Sequence, residues 1–337
     1  MKNIKQTIID LENHNMFVVV EKKSIKNLVI DNQITGFRND GLGSRLLAYI
    51  NIVRLSKKLN CDYTFYWDIR SDKNSPSYPQ NVSSNINSYL PNLKNLKFFN
   101  SKFTKISYPS FTEWKIVVLK NERKSKVLKE CSQIIREVFK NPLIKPNRNL
   151  GFKYGLHLRL GDIDAYTNRN YNSNNLISKR ENFNLGKWYP PIFWLEICNK
   201  IKTKVLVAGS DYKIIKKIFK NSNQITFSDK LSPPNKDETF KFIFDLIIIS
   251  KAKNVICSLA SGSGLIICLL SKNRVFTPES FLKLEKVYFE FYNIILFNFL
   301  KHNKFKSLIR HNLRYLSSKI VDFKLNIVDN WFKKKIK

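Results

Sequence analysis

Between Tyr154 and Leu270 the sequence alternates short runs of β-forming apolar residues with longer stretches of helical apolar spacing. That alternation leaves few folds open. The runs are Tyr154-Gly155-Leu156-His157-Leu158-Arg159, Lys204-Val205-Leu206-Val207-Ala208, Ile225-Thr226-Phe227 and Asn254-Val255-Ile256-Cys257. Helical segments stand between them: Pro191 to Ile201, a Lys-rich stretch after Asp211, and Phe240 to Ser250. Another, Gly262 to Leu270, follows the last run. Crossovers of that length bring the chain back to the same end of a sheet, so a parallel sheet is predicted.

An earlier unit follows the same logic. Lys26 to Ile30 is predicted as a strand, followed by a polar loop ending in Gly36, Gly41 and Gly43. Leu46, Leu47, Ile50, Val53, Leu55 and Leu59 then recur at helical spacing, and Asp62 to Trp67 is rich in β formers. Strand, glycine loop, helix and strand make one βαβ unit. Residues 71–112 are loop-rich, Val127 to Phe139 has helical spacing, and Pro142 and Pro146 interrupt the chain. The predicted architecture is α/β. Residues 1–148 and 149–280 form two Rossmann-like domains, followed by a basic, aromatic, helical tail over residues 281–337.

The chain has 337 residues, with 59 Lys plus Arg against 26 Asp plus Glu and a formal net charge of +33. Such a charge calls for an acidic partner. The lysines are scattered, and no zinc finger, aromatic-basic RNA motif or basic zipper is present, so no specific nucleic acid is expected. The apolar share of 43% is that of a globular protein. No window of about 18 uninterrupted apolar residues occurs, and no leader pattern opens the sequence, so a cytoplasmic location is expected. Cys61, Cys131, Cys198, Cys257 and Cys268 lack CxxC spacing and read as free thiols in a reducing compartment.

In a doubly wound sheet, ligands gather at loops leaving the carboxyl ends of the strands. Four such loops are polar or glycine-rich. Gly36-Phe37-Arg38-Asn39-Asp40-Gly41-Leu42-Gly43-Ser44-Arg45 precedes a helix whose N-terminus favours an anion. His157 and Arg159 alternate onto one strand face, where a guanidinium can grip a phosphate or pair with Asp162. Asp211 in Gly209-Ser210-Asp211 can contact a ligand or cap the next helix. Ser258-Leu259-Ala260-Ser261-Gly262-Ser263-Gly264 offers hydroxyls and exposed helix-start amides as a phosphate cradle that needs no metal. It lacks the Gly-Lys-Ser/Thr of a P-loop. Asp245 lies alone among apolar residues, where a carboxylate needs a partner: a backbone amide, or the edge of a base. Asp162-Ile163-Asp164 resembles a metal-binding carboxylate pair, but Arg159 beside it would repel a cation, so no metal is expected.

These motifs together resemble the fucosyltransferase superfamily, in particular its α-1,6-fucosyltransferase and nodulation fucosyltransferase members. Matching in order are Gly41-Leu42-Gly43 before an apolar helix, the His157-x-Arg159 strand, Ser210-Asp211, Asp245-Leu246-x-x-x-Ser250 and Cys257-Ser258-x-x-Ser261. Departures are Leu160 for the second Arg of that family's motif, Gly262 for a Gln, and Ser44 for an Asn.

The resemblance implies a GT-B fold with a cleft between its domains, GDP-fucose as donor substrate, inverting chemistry, and neither metal nor other cofactor. It implies that Arg159 binds the β-phosphate with His157 beside the nucleotide, and that Asp245 reads guanine. Ser258 and Ser261, with Gly262 and Ser263 beside them, would lie along the pyrophosphate, and Gly41, Gly43 and Asp211 would complete the donor site. Asp164 and Asp40 are the candidates for catalytic base. The expected partners are a nucleotide-sugar donor and a cell-surface or lipid-linked glycan acceptor. Two other readings stay open: a basic non-enzymatic protein binding nucleic acid or anionic membrane, and a silent nucleotide-sugar-binding fold.

Phe281, Tyr288, Phe289, Phe291, Tyr292, Phe297 and Phe299, with the terminal Trp331-Phe332-Lys333-Lys334-Lys335-Ile336-Lys337, suggest a tail that meets an anionic membrane surface.

Overall fold

The computed structural model describes residues 4–39, 41–69, 85–100, 109–141, 144, 151–158, 189, 191–209, 212, 215–216, 219, 222–234 and 236–283. The carboxyl-terminal sheet is built from β7 (Tyr154–Leu158), β8 (Val205–Gly209), β9 (Ile225–Phe227), β10 (Asn254–Cys257) and β11 (Arg274–Phe276). All are parallel, in the spatial order β11-β10-β7-β8-β9. Their central members are continuous apolar runs because both faces of the sheet are buried. Alternation sorts the side chains. Leu206 and Ala208 of β8 join one core cluster, whereas Val205 and Val207 join the cluster on the other face. The first face is covered by α7 (Glu238–Ser250) and α8 (Gly262–Leu270), the second by α6 (Pro191–Lys200) and α9 (Pro278–Leu282). Helices thus lie on both faces of a parallel sheet, as the alternating pattern predicts.

The amino-terminal half departs from the sequence reading in one instructive way. After the short helix α2 (Lys22–Lys26), Val29–Ile30 (β2) is the first arm of a hairpin, pairing antiparallel with β3 (Gln33–Arg38). Asp31 and Asn32 between them both have positive φ, 49° and 58°. Those angles are what a two-residue turn matching the twist of its strands needs. The strand that feeds the helix is therefore β3, not Lys26 to Ile30, and part of the supposed polar loop is sheet. From β3 the chain enters α3 (Leu42–Leu59) and returns as β4 (Asp62–Asp68), parallel to β3, with β5 (Leu96–Phe99) beyond it. A smaller parallel pair, β1 (Phe17–Val20) with β6 (Ile116–Leu119), lies nearby, and Phe111 bridges Gly36 of β3. Asn51 of α3 ties these pieces together, donating to the carbonyls of Glu113 and Lys115 and accepting from the Val117 amide.

One contiguous core runs from α3, β1 and β6 through α5 (Lys124–Val138) to α7, α8 and β10. Polar contacts reinforce the junction. Arg136 of α5 donates to the carbonyls of Leu270 (3.2 Å) and Ser271 (3.0 Å), satisfying acceptors at the end of α8. Tyr89, closing α4 (Ile86–Tyr89), donates to Asp237, whose other oxygen caps α7 through the Phe240 amide.

Candidate functional site

Numbered by sequence within the carboxyl-terminal sheet, the strand order reverses between β7 and β10, the first and fourth of its strands. At such a switch point neighbouring loops leave in opposite directions and open a crevice at the carboxyl ends. The ends are in register: His157 lies opposite Cys257 on one side and Ala208 on the other. His157 is 4% exposed, on the face covered by α7 and α8. Leu158 pairs with Gly209, where an added Cβ would sit 2.2 Å from the Leu158 carbonyl oxygen, so only glycine allows β7 and β8 to end this close together. The predicted Arg159 and Asp164 follow Leu158 directly but lie outside the described residues, as do Asp162, Asp211 and Asp40.

Beside β7, the chain leaves β10 through Ser258 and winds into α8. Ser258, Ser261 and Ser263 are all buried in this turn, each 1% exposed. Ser261 is the helix cap, accepting from the Gly264 amide at 3.1 Å and donating to the Ser258 carbonyl at 2.9 Å. The Ser263 hydroxyl turns back to 3.4 Å from that of Ser261. The reason for the burial is the first turn of α3, which presses against the first turn of α8. A Cβ on Gly43 would come within 2.8 Å of the Ser263 nitrogen, and one on Gly262 within 2.8 Å of the Ser44 nitrogen. Gly41, Ser44 and Gly262 keep partial exposure at this seam. Two glycine loops from opposite halves therefore meet, and two helix N-termini, both ends of positive potential, lie side by side.

Arg45 follows at once. Its guanidinium is 1% exposed, stacks 5.5 Å from the centre of the Trp67 ring, and donates to the carbonyls of Asp68 and Asn39. It thereby joins the carboxyl ends of β3 and β4 just behind the seam.

Asp245 lies on α7, 6% exposed, facing the carboxyl ends of β8 and β9. Its hydrogen bonds go to two hydroxyls rather than to the backbone amide that the sequence offered as one partner. Ser228, the residue after β9, donates to Oδ1, and Tyr212 donates to Oδ2 at 2.9 Å. The Tyr212 and Ser228 oxygens also meet; with one proton on each hydroxyl, this third contact carries a hydrogen bond only when Asp245 is protonated. Burial raises the Asp245 carboxyl to about 7; the two hydroxyls pull it down, while Asp229 and Glu238 add to the rise. Burial and the Asp245 charge hold the Tyr212 phenol well above its ordinary value. Sequence reasoning missed both hydroxyls. Ser228 carried a usable signal, its place at the carboxyl end of a strand.

A second cluster also went unseen. His14, just after α1 (Ile4–Asn13), meets Glu279 of α9 at 2.6 Å, and the Tyr189 hydroxyl bonds to the same carboxylate. Burial pushes Glu279 up, but His14 and Tyr189 outweigh it and hold the carboxyl below its ordinary range. This cluster fastens α1 to the same carboxyl edge. Among the described residues, no three His, Cys, Asp or Glu side chains come together as a metal-ligand set. No described helix is long and apolar enough to cross a membrane.

Comparison with known proteins gave no matching family model and no matching curated protein. Among solved structures, the chain is similar to a NodZ alpha-1,6-fucosyltransferase soaked with GDP-fucose. The match has 11% identity and a TM-score of 0.36, covering 71% of this chain and 92% of that one. A TM-score of that size carries no argument about function, which rests on strand order and side chains.

Proposed function

We propose that the chain is a glycosyltransferase that uses a GDP-sugar, transferring fucose from GDP-fucose to a cell-surface or lipid-linked glycan with inversion and without a metal. The observation that carries the reading is the reversal of strand order between β7 and β10, with Leu158 and Cys257 ending side by side. Arg159 is the next residue after that edge. A guanidinium there would hold the β-phosphate and stabilise the charge that builds as the sugar departs. The abutting N-termini of α3 and α8 favour the same diphosphate through their positive ends. His157 would flank the nucleotide from its strand end. Asp245, at the ends of β8 and β9, can accept one hydrogen bond on each carboxylate oxygen, as the N1–H and N2–H edge of guanine requires. The acceptor hydroxyl would attack the opposite face of the sugar, with Asp164 or Asp40 taking its proton.

In this reading residues 149–280 hold the donor, residues 1–148 face the acceptor across a cleft, and residues 281–337 bring the enzyme to an anionic membrane surface. A thermal-shift panel of GDP-fucose, GDP-mannose, GDP and UDP-sugars on the full chain tests the proposal. GDP compounds should raise the melting temperature, by the equivalent of about 2.7 kcal/mol at 100 times the dissociation constant. UDP-sugars should not. An equal response to both, or none to either, contradicts it.

A further inference from the structure

Asp245 already carries the hydrogen-bonding pattern that a guanine edge would bring. Ser228 donates to one carboxylate oxygen and Tyr212 to the other, one hydroxyl for each. Ser228 is fully buried at the end of β9, whereas Tyr212 is only half-buried, on the segment after β8. The Lys216 ammonium lies 5.9 Å from the Tyr212 ring centre and bonds to Asp229 at 2.6 Å, so one face of the phenol ring meets charged side chains rather than the apolar core. Resting on the GDP reading above, we propose that Tyr212 is an internal stand-in for the base, occupying the Asp245 oxygen that guanine must take over when GDP binds.

The exchange is chemically asymmetric. Guanine supplies two adjacent N–H donors and restores both bonds to the carboxylate. Uracil supplies one N–H flanked by carbonyls, so where both hydroxyls give way to the base it leaves one buried carboxylate oxygen unmatched. The stand-in therefore sets a threshold that a base with one donor fails to recover, a form of discrimination by lost bonds. It also scales GDP affinity down to the fraction of chains in which Tyr212 has swung away.

Calorimetric titration of the full chain with GDP tests this, comparing the parent with Tyr212→Phe, each checked by thermal melting. Tyr212→Phe should bind GDP roughly five- to tenfold more tightly, the size expected for removing one competing hydrogen bond. In an Asp245→Asn background the same change should alter GDP affinity by less than about twofold, because the contested carboxylate is gone. If the parent binds GDP and folded Tyr212→Phe binds it no more tightly, the stand-in role is overturned while the GDP reading survives. If none of the proteins binds GDP, the GDP reading fails and takes this inference with it. Should Tyr212→Phe not fold, Ser228→Ala, which frees the other oxygen, carries the same expectation and the same contrary result.

Discussion

Asp245 ties chemistry to pH at the scale of one residue. Its carboxyl is raised to about 7 by burial, well above the ordinary value of 3.8. A carboxyl raised by folding stabilises the native state fully at low pH, and that contribution is lost as pH rises through the folded value. The melting temperature of the parent should therefore fall between pH 5 and pH 8 relative to Asp245→Asn, whose profile should lack this slope. GDP affinity should run the other way. Guanine needs the ionised form, so binding should strengthen from pH 6 to pH 8 in the parent and stay flat in Asp245→Asn, followed by calorimetry at each pH. Asp245 was legible in the sequence because a lone carboxylate in an apolar helix demands an explanation. Its partners were not, since Ser228 is 17 and Tyr212 is 33 residues away and only the sheet brings them together. Ser261 has a second duty that the sequence did not reveal. Its place before α8 was read correctly, but a hydroxyl at that position serves the helix cap before any ligand.

The contact of α3 with α8 is the element-scale feature most exposed to test. Gly43 and Gly262 face backbone atoms at separations no Cβ tolerates, and backbone cannot swing aside as a side chain would. Gly43→Ala and Gly262→Ala should each lower stability by about 1–3 kcal/mol in urea unfolding. The double variant should lose less than the sum, because the first methyl already separates the helices. Unchanged midpoints in both single variants would mean that the seam is not held this tightly. Sequence patterning found most plainly the strands buried on both faces, such as β8 and β10, whose apolar runs are continuous. Those it missed depend on partners. Gln33–Arg38 alternates poorly and contains Gly36, and is strand because β4 pairs along its whole length. Arg274–Phe276 is too short to show a period and is fixed by β10.

At the scale of the molecule, one core links the two larger sheets, and both present their carboxyl ends toward the α3–α8 seam. The proposed donor site lies where these edges meet, which is why loops far apart in sequence were foreseen separately but not as neighbours. The tail prediction concerns residues outside that described core and is tested separately. Truncation after Val321 should reduce binding to anionic vesicles at low salt while leaving GDP affinity intact, and undiminished vesicle binding would remove the surface role. The central claim is that a guanine nucleotide sits with its phosphates at the switch between β7 and β10. The most direct measurement is the GDP dissociation constant of the full chain and of Arg159→Ala by calorimetry. Loss of a charge-assisted phosphate contact should weaken GDP roughly 10- to 100-fold in a variant that melts like the parent. Equal affinity in both proteins, or no GDP binding by the parent, would contradict the account.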